Sequence, residues 1–291
     1  MWAIVINPVS GGGKGSVLGR EVAGYFAKHD LDYTVITATT AQKLKSNLDT
    51  FLDLPEGRNC QGVIAVGGDG LAHLVIQSVA PRRVPFTVIP AGTGNDLVRA
   101  LGWGLDSITT QLNFVTTEKP TPIDLGMVDS EWFGAILSTG FDSVVNERAN
   151  QMSWPKGPMK YNLAIARELP SFQPISYTIE LDTQALQVEA MLIAVANGSS
   201  YGGGMQVCPN ASMSDGLFDV MILHPVSKVE FIKVFPKVFK GEHISHPQVR
   251  IYRSAKVAIS SNAIAYADGE RIGGLPVRAE CMAGAGLSWT P

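Results

Sequence analysis

The 291-residue sequence is short of the features that define several common classes of protein. It has three cysteines, Cys60, Cys208 and Cys281, whose odd number and wide spacing support neither a disulfide framework nor a zinc site. We therefore expect a reducing, cytoplasmic environment. No apolar run approaches the roughly 18 residues of a membrane-spanning helix. The opening MWAIVINP also lacks the basic segment of a signal peptide, so we expect no transmembrane segment.

Positive charge is scarce as well. The chain has 23 Lys and Arg against 26 Asp and Glu, which gives a net charge of -3. A nucleic-acid-binding domain normally carries a basic surface, so nucleic acid is excluded as an expected partner. A hydrophobic content of 45% is ordinary for a globular protein, and the length suits two domains.

The first 120 residues or so alternate short apolar runs with helical patterns. The runs WAIVIN, DYTVITA, GVIAV and PFTVIP predict strands buried on both faces. A helix is expected over residues 17–28, with Val17, Val22, Tyr25 and Phe26 on its inner face. This alternation predicts a Rossmann-like α/β domain with a parallel sheet. After Pro120 the runs become alternating and β-rich, which predicts a mainly antiparallel β-sandwich domain.

Glycine-rich turns follow the first, third and fourth predicted strands. They are NPVSGGG (Asn7 to Gly13), GGDG (Gly67 to Gly70) and PAGTGND (Pro90 to Asp96). Parallel strands end at one edge of a sheet, where α/β proteins bind ligands, and glycine turns present N–H groups to phosphates. The familiar phosphate motifs are absent, because Gly15 follows Lys14 and Leu97 replaces the last glycine of GxGxxG. Each turn alone is commonplace, but the three together indicate a phosphate site.

These turns belong to a longer pattern. The chain resembles the diacylglycerol kinase catalytic-domain family, bacterial lipid kinases related to sphingosine kinases and, more distantly, NAD kinases. The resemblance covers essentially the whole length, through NPVSG, GGDG, PAGTGNDLVRAL, IDLGMV, NASMSDGLFDV and YADGE in the family's order. It implies an ATP-binding α/β domain over 1–124 with 277–291, and a lipid-substrate domain over 125–276. The implied reaction transfers the γ-phosphoryl group of ATP to a hydroxyl of diacylglycerol or a related lipid.

The resemblance also implies the residues of the site, with ATP between the two domains and Mg²⁺ as cofactor. Asp69, Asp96 and Asp124 match acids of a network near the phosphates, although Asp96 equally suits a helix N-cap and Asp124 a turn. The nucleotide contacts implied are Asn7, Pro8, Val9, Ser10, Gly11, Thr39, Gly67, Gly68, Asp69, Gly70, Thr93, Asn95, Asp96, Asp124 and Glu270.

Two further roles follow from the resemblance. Asp268 of YADGE matches the family's general base, which takes the proton of the lipid hydroxyl. Without the resemblance, Asp-Gly is most simply a hairpin turn. Ser212, Asp215 and Leu217 match a second, structural metal site whose oxygen ligands suit Mg²⁺ or Ca²⁺, and a plain turn is the alternative there.

The chain departs from the family after GGDG. Leu71, His73 and Leu74 stand where the family usually has Thr, Asn and Glu. These departures leave other readings open: a kinase for a sphingoid base, phosphatidylglycerol or a glycolipid, or a nucleotide-binding regulator with impaired catalysis. A lone histidine among apolar residues is most often part of a core.

Two segments bear on the substrate side. In SKVEFIKVFPKVFKGEHI, Phe231, Val234, Phe235 and Val238 share a helical face, with Lys233, Lys237 and Lys240 on another. Such a helix suits an anionic membrane, but packing on its own domain is the commoner outcome. QMSWPKGPMKY (151–161) suits a loop at a lipid entrance. The expected partner is a lipid at the membrane surface, with peripheral attachment to the inner face, and a homodimer stays open.

Overall fold

The computed structural model describes residues 1–105, 108–152, 154 and 158–291. Residues 153 and 155–157 of the predicted lipid-entrance loop lie outside this part of the chain. The chain divides into two compact units, residues 1–125 with 283–291 and residues 126–282.

The first unit contains the predicted parallel sheet. Its strands run in the order β2-β1-β3-β4, and every neighbouring pair is parallel. β3 and β4 are buried along their whole length, as their continuous apolar sequences require. The strands are β1 (Trp2–Ile6), β2 (Tyr33–Thr37), β3 (Val63–Gly67) and β4 (Phe86–Pro90).

Helices connect these strands and cover the sheet. The first begins at Lys14, three residues before the predicted start, and buries Leu18, Val22 and Phe26. Val17 is 55% exposed, so its predicted place on the inner face was wrong. Leu18 takes that place because it lies four residues before Val22 and eight before Phe26, on the same face of the helix. The helices are α1 (Lys14–Lys28), α2 (Ala41–Asp53), α3 (Pro55–Arg58), α4 (Asp69–Val79), α5 (Asp96–Ala100) and α6 (Ile108–Thr117).

The end of the chain returns to the first unit. Ser288, in the last strand, pairs in parallel with Phe86 of β4. The indole N–H of Trp103 donates to the Trp289 carbonyl at 2.8 Å, which fixes the tail beside the sheet. Two strands pass from one unit to the other: β5 (Thr121–Val128) and the last strand, β16 (Val277–Ser288).

The second unit is an antiparallel β-sandwich. One sheet has the order β12-β11-β10-β7-β14-β15, and the other includes β16, β13, β8 and β9 in that order. A single apolar core draws on both, for example Val195 and Val220 from the first and Ile179 and Val257 from the second. The predicted fold class is therefore confirmed. The strands are β6 (Glu131–Phe133), β7 (Ile136–Gly140), β8 (Ile175–Leu181), β9 (Ala185–Ala190), β10 (Leu192–Ala196), β11 (Phe218–Leu223), β12 (Val249–Ser254), β13 (Lys256–Ser260), β14 (Ile264–Ala267) and β15 (Glu270–Gly274).

Three helices, α7 (Phe141–Gln151), α8 (Pro158–Glu168) and α9 (Lys228–Val234), pack on this sandwich, and a 3-10 turn continues α9 over Phe235–Lys240. The Phe231 ring lies edge-on to Phe141 with 5.2 Å between centroids. The predicted apolar face of α9 is therefore turned toward its own unit. In the described chain, no helix is long and apolar enough to span a bilayer.

Candidate functional site

The three glycine turns lie together at the carboxyl edge of the parallel sheet. Gly11, with φ of 57°, packs so closely on the third turn that an added Cβ would lie 2.1 Å from the Ala91 carbonyl oxygen. A Cβ on Gly92 would lie 2.6 Å from the Cα of Gly68, in the second turn. Since only glycine permits these approaches, the glycines bring the three turns into contact.

The carboxylate of Asp69 ties the second turn to the third. Its Oδ2 accepts the N–H of Asn95 and its Oδ1 accepts the N–H of Asp96, both at 2.7 Å. Asp69 is thus placed against the first N–H groups of α5. These N–H groups are already occupied, so within the third turn an anion would have to use other donors.

The third turn is closed by its own side chains. Asn95, in the left-handed region with φ of 57°, accepts the Gly92 N–H at 3.1 Å and donates to the Gly92 carbonyl at 3.0 Å. Arg99 donates to the Gly94 carbonyl, and its Nη1 lies 3.5 Å from Asp96 Oδ1. Asn95 and Asp96 are both buried. The turn is therefore rigid before any ligand arrives.

The predicted acids are only partly brought together. A Cβ on Gly94 would lie 2.2 Å from an Asp69 oxygen and 3.4 Å from an Asp96 oxygen, so these two carboxylates border the same glycine. Asp124 is buried and accepts the Gly284 N–H at 2.8 Å. Its membership of the network stays a prediction.

The first turn has the character of an anion site. Gly11, Gly12 and Gly13 all have positive φ, and they lead into the N-terminus of the 15-residue helix α1. Side chains added at Gly12 or Gly13 would meet nothing within 4 Å, so the space beside this turn is open. Helix N-termini carry partial positive charge and unpaired N–H groups. This arrangement fits phosphate oxygens.

The other residues of the predicted nucleotide site have mixed environments. Asn7 Oδ1 accepts the Val9 N–H at 3.3 Å, which shapes the first turn. Pro8 and Ser10 are half-buried, as is Gly68, whereas Gly67 is buried at the end of β3. The exposed members are Val9, Thr39, Gly70 and Thr93, together with Glu270 at the start of β15.

Two of the residues that depart from the family pattern after GGDG are buried and pack inside the first unit. Leu71 is buried in α4 and packs on the end of β3, where a Cβ on Gly67 would lie 2.5 Å from its Cδ2. His73 is buried as well, with its Nε2 3.3 Å from the Gln77 amide nitrogen. An apolar contact thus replaces the hydroxyl that the family usually has after GGDG.

Asp268 lies in a hairpin turn of the second unit, between β14 and β15. It has φ of 50° and Gly269 has φ of 86°, the pair of positive angles typical of a type I′ turn. The Asp268 carboxylate accepts three backbone N–H groups, from Gly134 at 2.7 Å, Ala135 at 2.8 Å and Ile136 at 3.2 Å. Asp268 can therefore be both a turn residue and a chemically active one, because the three N–H groups hold its carboxylate in one orientation.

The predicted structural metal site contains an ion pair. Asp215 Oδ1 accepts the Leu217 N–H at 3.1 Å, and Asp215 Oδ2 accepts from the Arg253 guanidinium. The Ser212 hydroxyl lies 3.0 Å from that of Ser214. Among the described residues, no group of three or more Asp, Glu, His or Cys is arranged to hold a metal. The Asp215 carboxylate is thus paired with Arg253, and the metal site stays a prediction.

One buried acid, Asp142, was not among the residues predicted from the sequence. Asp142, in the first turn of α7, has both carboxylate oxygens shielded from solvent. The hydroxyls of Ser143, Tyr177 and Ser261 are buried as well. Burial raises the pKa of Asp142 to about 6, and the Ser138 hydroxyl opposes this only partly. The available signal was an aspartate directly after the apolar run ending in STGF (138–141).

Asp142→Asn is expected to stabilise the protein at pH 8. The pKa of Asp142 is raised from 3.8 to about 6, so the folded state holds this proton more tightly than the unfolded state. The contribution of this carboxyl to stability is therefore fully present below pH 3.8, where the group is protonated in both states. It is lost as pH rises through about 6, because the folded state must then hold a buried charge. Two pKa units correspond to about 3 kcal/mol, the gain expected for the neutral amide at pH 8.

Urea unfolding at pH 8 and pH 4.5 measures this effect. The gain should be clearly larger at pH 8. Equal free energies of unfolding for wild type and Asp142→Asn at both pH values would show that this carboxyl is not held in an unfavourable charged state.

A parallel α/β unit with phosphate-fitting turns, joined to a β-sandwich unit, is the arrangement of kinases of the NAD kinase and diacylglycerol kinase type. The family model described as the diacylglycerol kinase catalytic domain matches residues 1–128. The model described as the YegS C-terminal NAD kinase beta sandwich-like domain matches residues 135–286.

Curated relatives agree with the family models. A diacylglycerol kinase of Mycobacterium tuberculosis is 33% identical over 271 residues, which cover 91% of this chain and 86% of the relative. A diacylglycerol kinase of Bacillus subtilis is 36% identical over 220 residues, which cover 74% of this chain and 72% of the relative. The chain therefore belongs to the diacylglycerol kinase family, and it is an enzyme of the lipid kinase class.

A solved structure supports the fold. A diacylglycerol kinase crystal structure from Bacillus anthracis matches with a TM-score of 0.78 and 20% identity, and the match covers 99% of this chain and 96% of that one. At this identity the likeness establishes the fold alone.

Proposed function

We propose that this protein transfers the γ-phosphoryl group of ATP to the hydroxyl of diacylglycerol or a closely related lipid. The proposal is supported by the three strand-end turns of the first unit, which lie in contact and leave open space beside Gly12 and Gly13 that fits phosphate oxygens. The names of the relatives from M. tuberculosis and B. subtilis support diacylglycerol as the acceptor.

The first unit would bind the nucleotide. Residues Asn7 to Gly13 would contribute N–H groups and the N-terminus of α1 to the phosphates. Thr39 and Thr93, exposed two and three residues after the ends of β2 and β4, would add hydroxyl contacts. Phosphoryl transfer needs positioning and charge neutralisation more than covalent help, and preformed rigid turns supply the positioning.

The charge balance of the site favours Mg²⁺ as the cofactor. Asp69 and Asp96 border Gly94 and are too few to cage a metal, but Mg²⁺ characteristically takes one or two carboxylates together with phosphate oxygens and water. These two acids and Asp124 would hold it, directly or through water. When bound, Mg²⁺ neutralises the negative charge of the phosphates.

Asp268 would accept the proton of the acceptor hydroxyl. A lipid hydroxyl is a poor nucleophile, and a positioned carboxylate can remove its proton during transfer. The N–H groups of Gly134, Ala135 and Ile136 hold the carboxylate still, which favours this role over that of a mobile surface acid. Because Asp268 belongs to the second unit, this unit is assigned the lipid, with the protein acting peripherally at a membrane.

A transfer assay tests the proposal. Purified protein is incubated with γ-labelled ATP and, in parallel, with diacylglycerol, a sphingoid base, phosphatidylglycerol and a total lipid extract. We expect labelled phosphatidic acid from diacylglycerol, and no product when EDTA removes Mg²⁺.

Two other outcomes would redirect the proposal. A product formed only from another lipid would assign that acceptor instead, in keeping with the Leu71 and Leu74 departures. Binding of ATP with no product from any lipid would favour a regulator that has lost catalysis.

A further inference from the structure

The large exposed apolar side chains of the second unit fall in two segments of its described part. In the described part of this unit, the large exposed apolar side chains all lie in residues 154–161 and 229–239. Val229 and Ile232, three residues apart on α9, are 63% and 62% exposed, and Phe239 in the following 3-10 turn is 48% exposed. They differ from the inward-facing Phe231 and Phe235, whose rings stack with centroids 5.8 Å apart. The segment thus has one apolar side packed inward and a second left in solvent.

Lysines accompany the exposed side chains. Lys233, Lys237 and Lys240 are exposed in the same segment. Residues 228–242 include four lysines and two glutamates, although the whole chain has a net charge of -3. One of those glutamates, Glu230, is engaged by His246 at 3.0 Å. The segment is therefore locally basic on an acidic protein.

An apolar groove adjoins these residues. It has a volume of about 260 Å³ and is lined by Ile165, Leu169, Phe231, Ile232, Phe235 and Pro236. Ligand pockets usually contain a few polar groups that fix an orientation, whereas this lining is entirely hydrocarbon. A hydrocarbon chain can occupy such a groove, because it has no polar atoms that need partners.

We propose that Val229, Ile232 and Phe239, with Lys233, Lys237 and Lys240, form a surface that docks onto an anionic phospholipid bilayer. We call it the α9 surface. Apolar side chains enter the acyl boundary while lysines contact anionic headgroups, the division found in interfacial helices. A second copy of the chain is a poorer occupant, because a two-fold interface would set lysines against lysines.

The α9 surface continues along α8. Met159 and Tyr161, near the start of α8, are 64% and 46% exposed, while Ile165 and Leu169 reach the groove further along the chain. The inference rests on the proposed lipid substrate for its purpose, because docking would bring the unit that carries Asp268 to the bilayer.

Vesicle flotation tests the α9 surface without requiring catalysis. Wild type is compared on vesicles of phosphatidylcholine alone and of phosphatidylcholine mixed with phosphatidylglycerol, at low and high salt. We expect binding to the mixed vesicles, weakened by salt. Ile232→Ser with Phe239→Ser, and Lys233→Glu with Lys237→Glu, should each lower the partition coefficient roughly tenfold or more, since each basic side chain and each buried apolar group contributes to binding.

The matched controls lie on the first unit. Val17→Ser replaces a 55% exposed valine on α1, and Lys43→Glu reverses an exposed lysine on α2. Both should bind vesicles as wild type does. The proposal would be overturned if the α9 variants bound vesicles as well as wild type does. It would also be overturned if the two control variants lost as much vesicle binding as the α9 variants. A wild-type dimer that Ile232→Ser dissociates in the ultracentrifuge would instead assign the surface to a second copy.

A kinetic readout separates docking from catalysis. With a short-chain diacylglycerol dissolved below its aggregation point, the Lys233→Glu with Lys237→Glu variant should phosphorylate the lipid at the wild-type rate. With diacylglycerol in mixed vesicles its rate should fall together with binding. Loss of both rates would contradict a docking role, whereas vesicle binding without phosphorylation of any lipid by wild type would contradict the proposed function alone.

Discussion

Asp268→Asn should lower the rate of phosphoryl transfer by about 10²–10⁴-fold, the usual contribution of a general base. Asparagine tolerates the left-handed conformation at φ of 50°, so the hairpin turn itself should survive. Its amide cannot accept a proton. The affinity for ATP, assigned to the first unit, should stay within about twofold of wild type, since the change leaves the turns intact.

The structure requires a control for this experiment, because Asp268 also anchors three backbone N–H groups. Replacing one oxygen by an NH₂ group sets a donor against a donor and is expected to cost about 1–3 kcal/mol of stability. Asp129→Asn is the matched control. Asp129 also has positive φ, of 52°, lies in the turn between β5 and β6, and accepts a backbone N–H from Arg278 at 3.3 Å.

Asp129→Asn should keep nearly full activity despite a similar change of chemistry. If the Asp268 variant loses activity only in proportion to the fraction unfolded, the aspartate is a structural anchor and the proton has another acceptor. Thermal unfolding of both variants beside the transfer assay distinguishes the two explanations.

Gly94→Ala should disrupt the contact between the second and third turns. The new Cβ would lie 2.2 Å from Asp69 Oδ2, so the carboxylate must leave the N–H groups of Asn95 and Asp96, each now at 2.7 Å. Hydrogen bonds to a charged group contribute about 1.5–3 kcal/mol each. We expect a loss of about 3 kcal/mol or more in the free energy of unfolding, with ATP affinity reduced at least tenfold.

Gly24→Ala is the matched control for the methyl group. Gly24 lies in α1, where an added Cβ meets nothing within 4 Å, so alanine should raise stability by about 0.5–1 kcal/mol. Urea denaturation and calorimetric titration with an ATP analogue measure both quantities. Unchanged stability and affinity in Gly94→Ala would show that the Asp69 bridge does not organise the turns.

The fold could be predicted because its signals are local. Continuous apolar runs such as Val63 to Val66 specify buried parallel strands, and the alternating runs after Pro120 specify a sandwich. The glycine turns were also visible, since each alone is commonplace but three of them after successive strands indicate a phosphate site. The helix start at Lys14 was missed because Gly12 and Gly13 obscure the boundary.

Other properties of the site depend on long-range contacts that no local pattern encodes. Asp69 is 26 residues from Asn95, and Asp268 is 134 residues from Gly134, so neither hydrogen bond could be read from spacing. The pairing of Asp215 with Arg253 depends on the register of β11 and β12. On α9, periodicity identified the face that packs inward but missed Val229 and Ile232, which the sandwich leaves uncovered.

Hydrogen–deuterium exchange tests the central claim most directly, namely that the three strand-end turns hold the phosphates of ATP. Exchange is followed by mass spectrometry in the presence and absence of Mg²⁺ and a non-hydrolysable ATP analogue. The account predicts that protection in the first unit centres on residues 10–13, 67–70 and 92–96. Saturating analogue that protects other parts of the first unit, while these turns exchange as in the free protein, would contradict it.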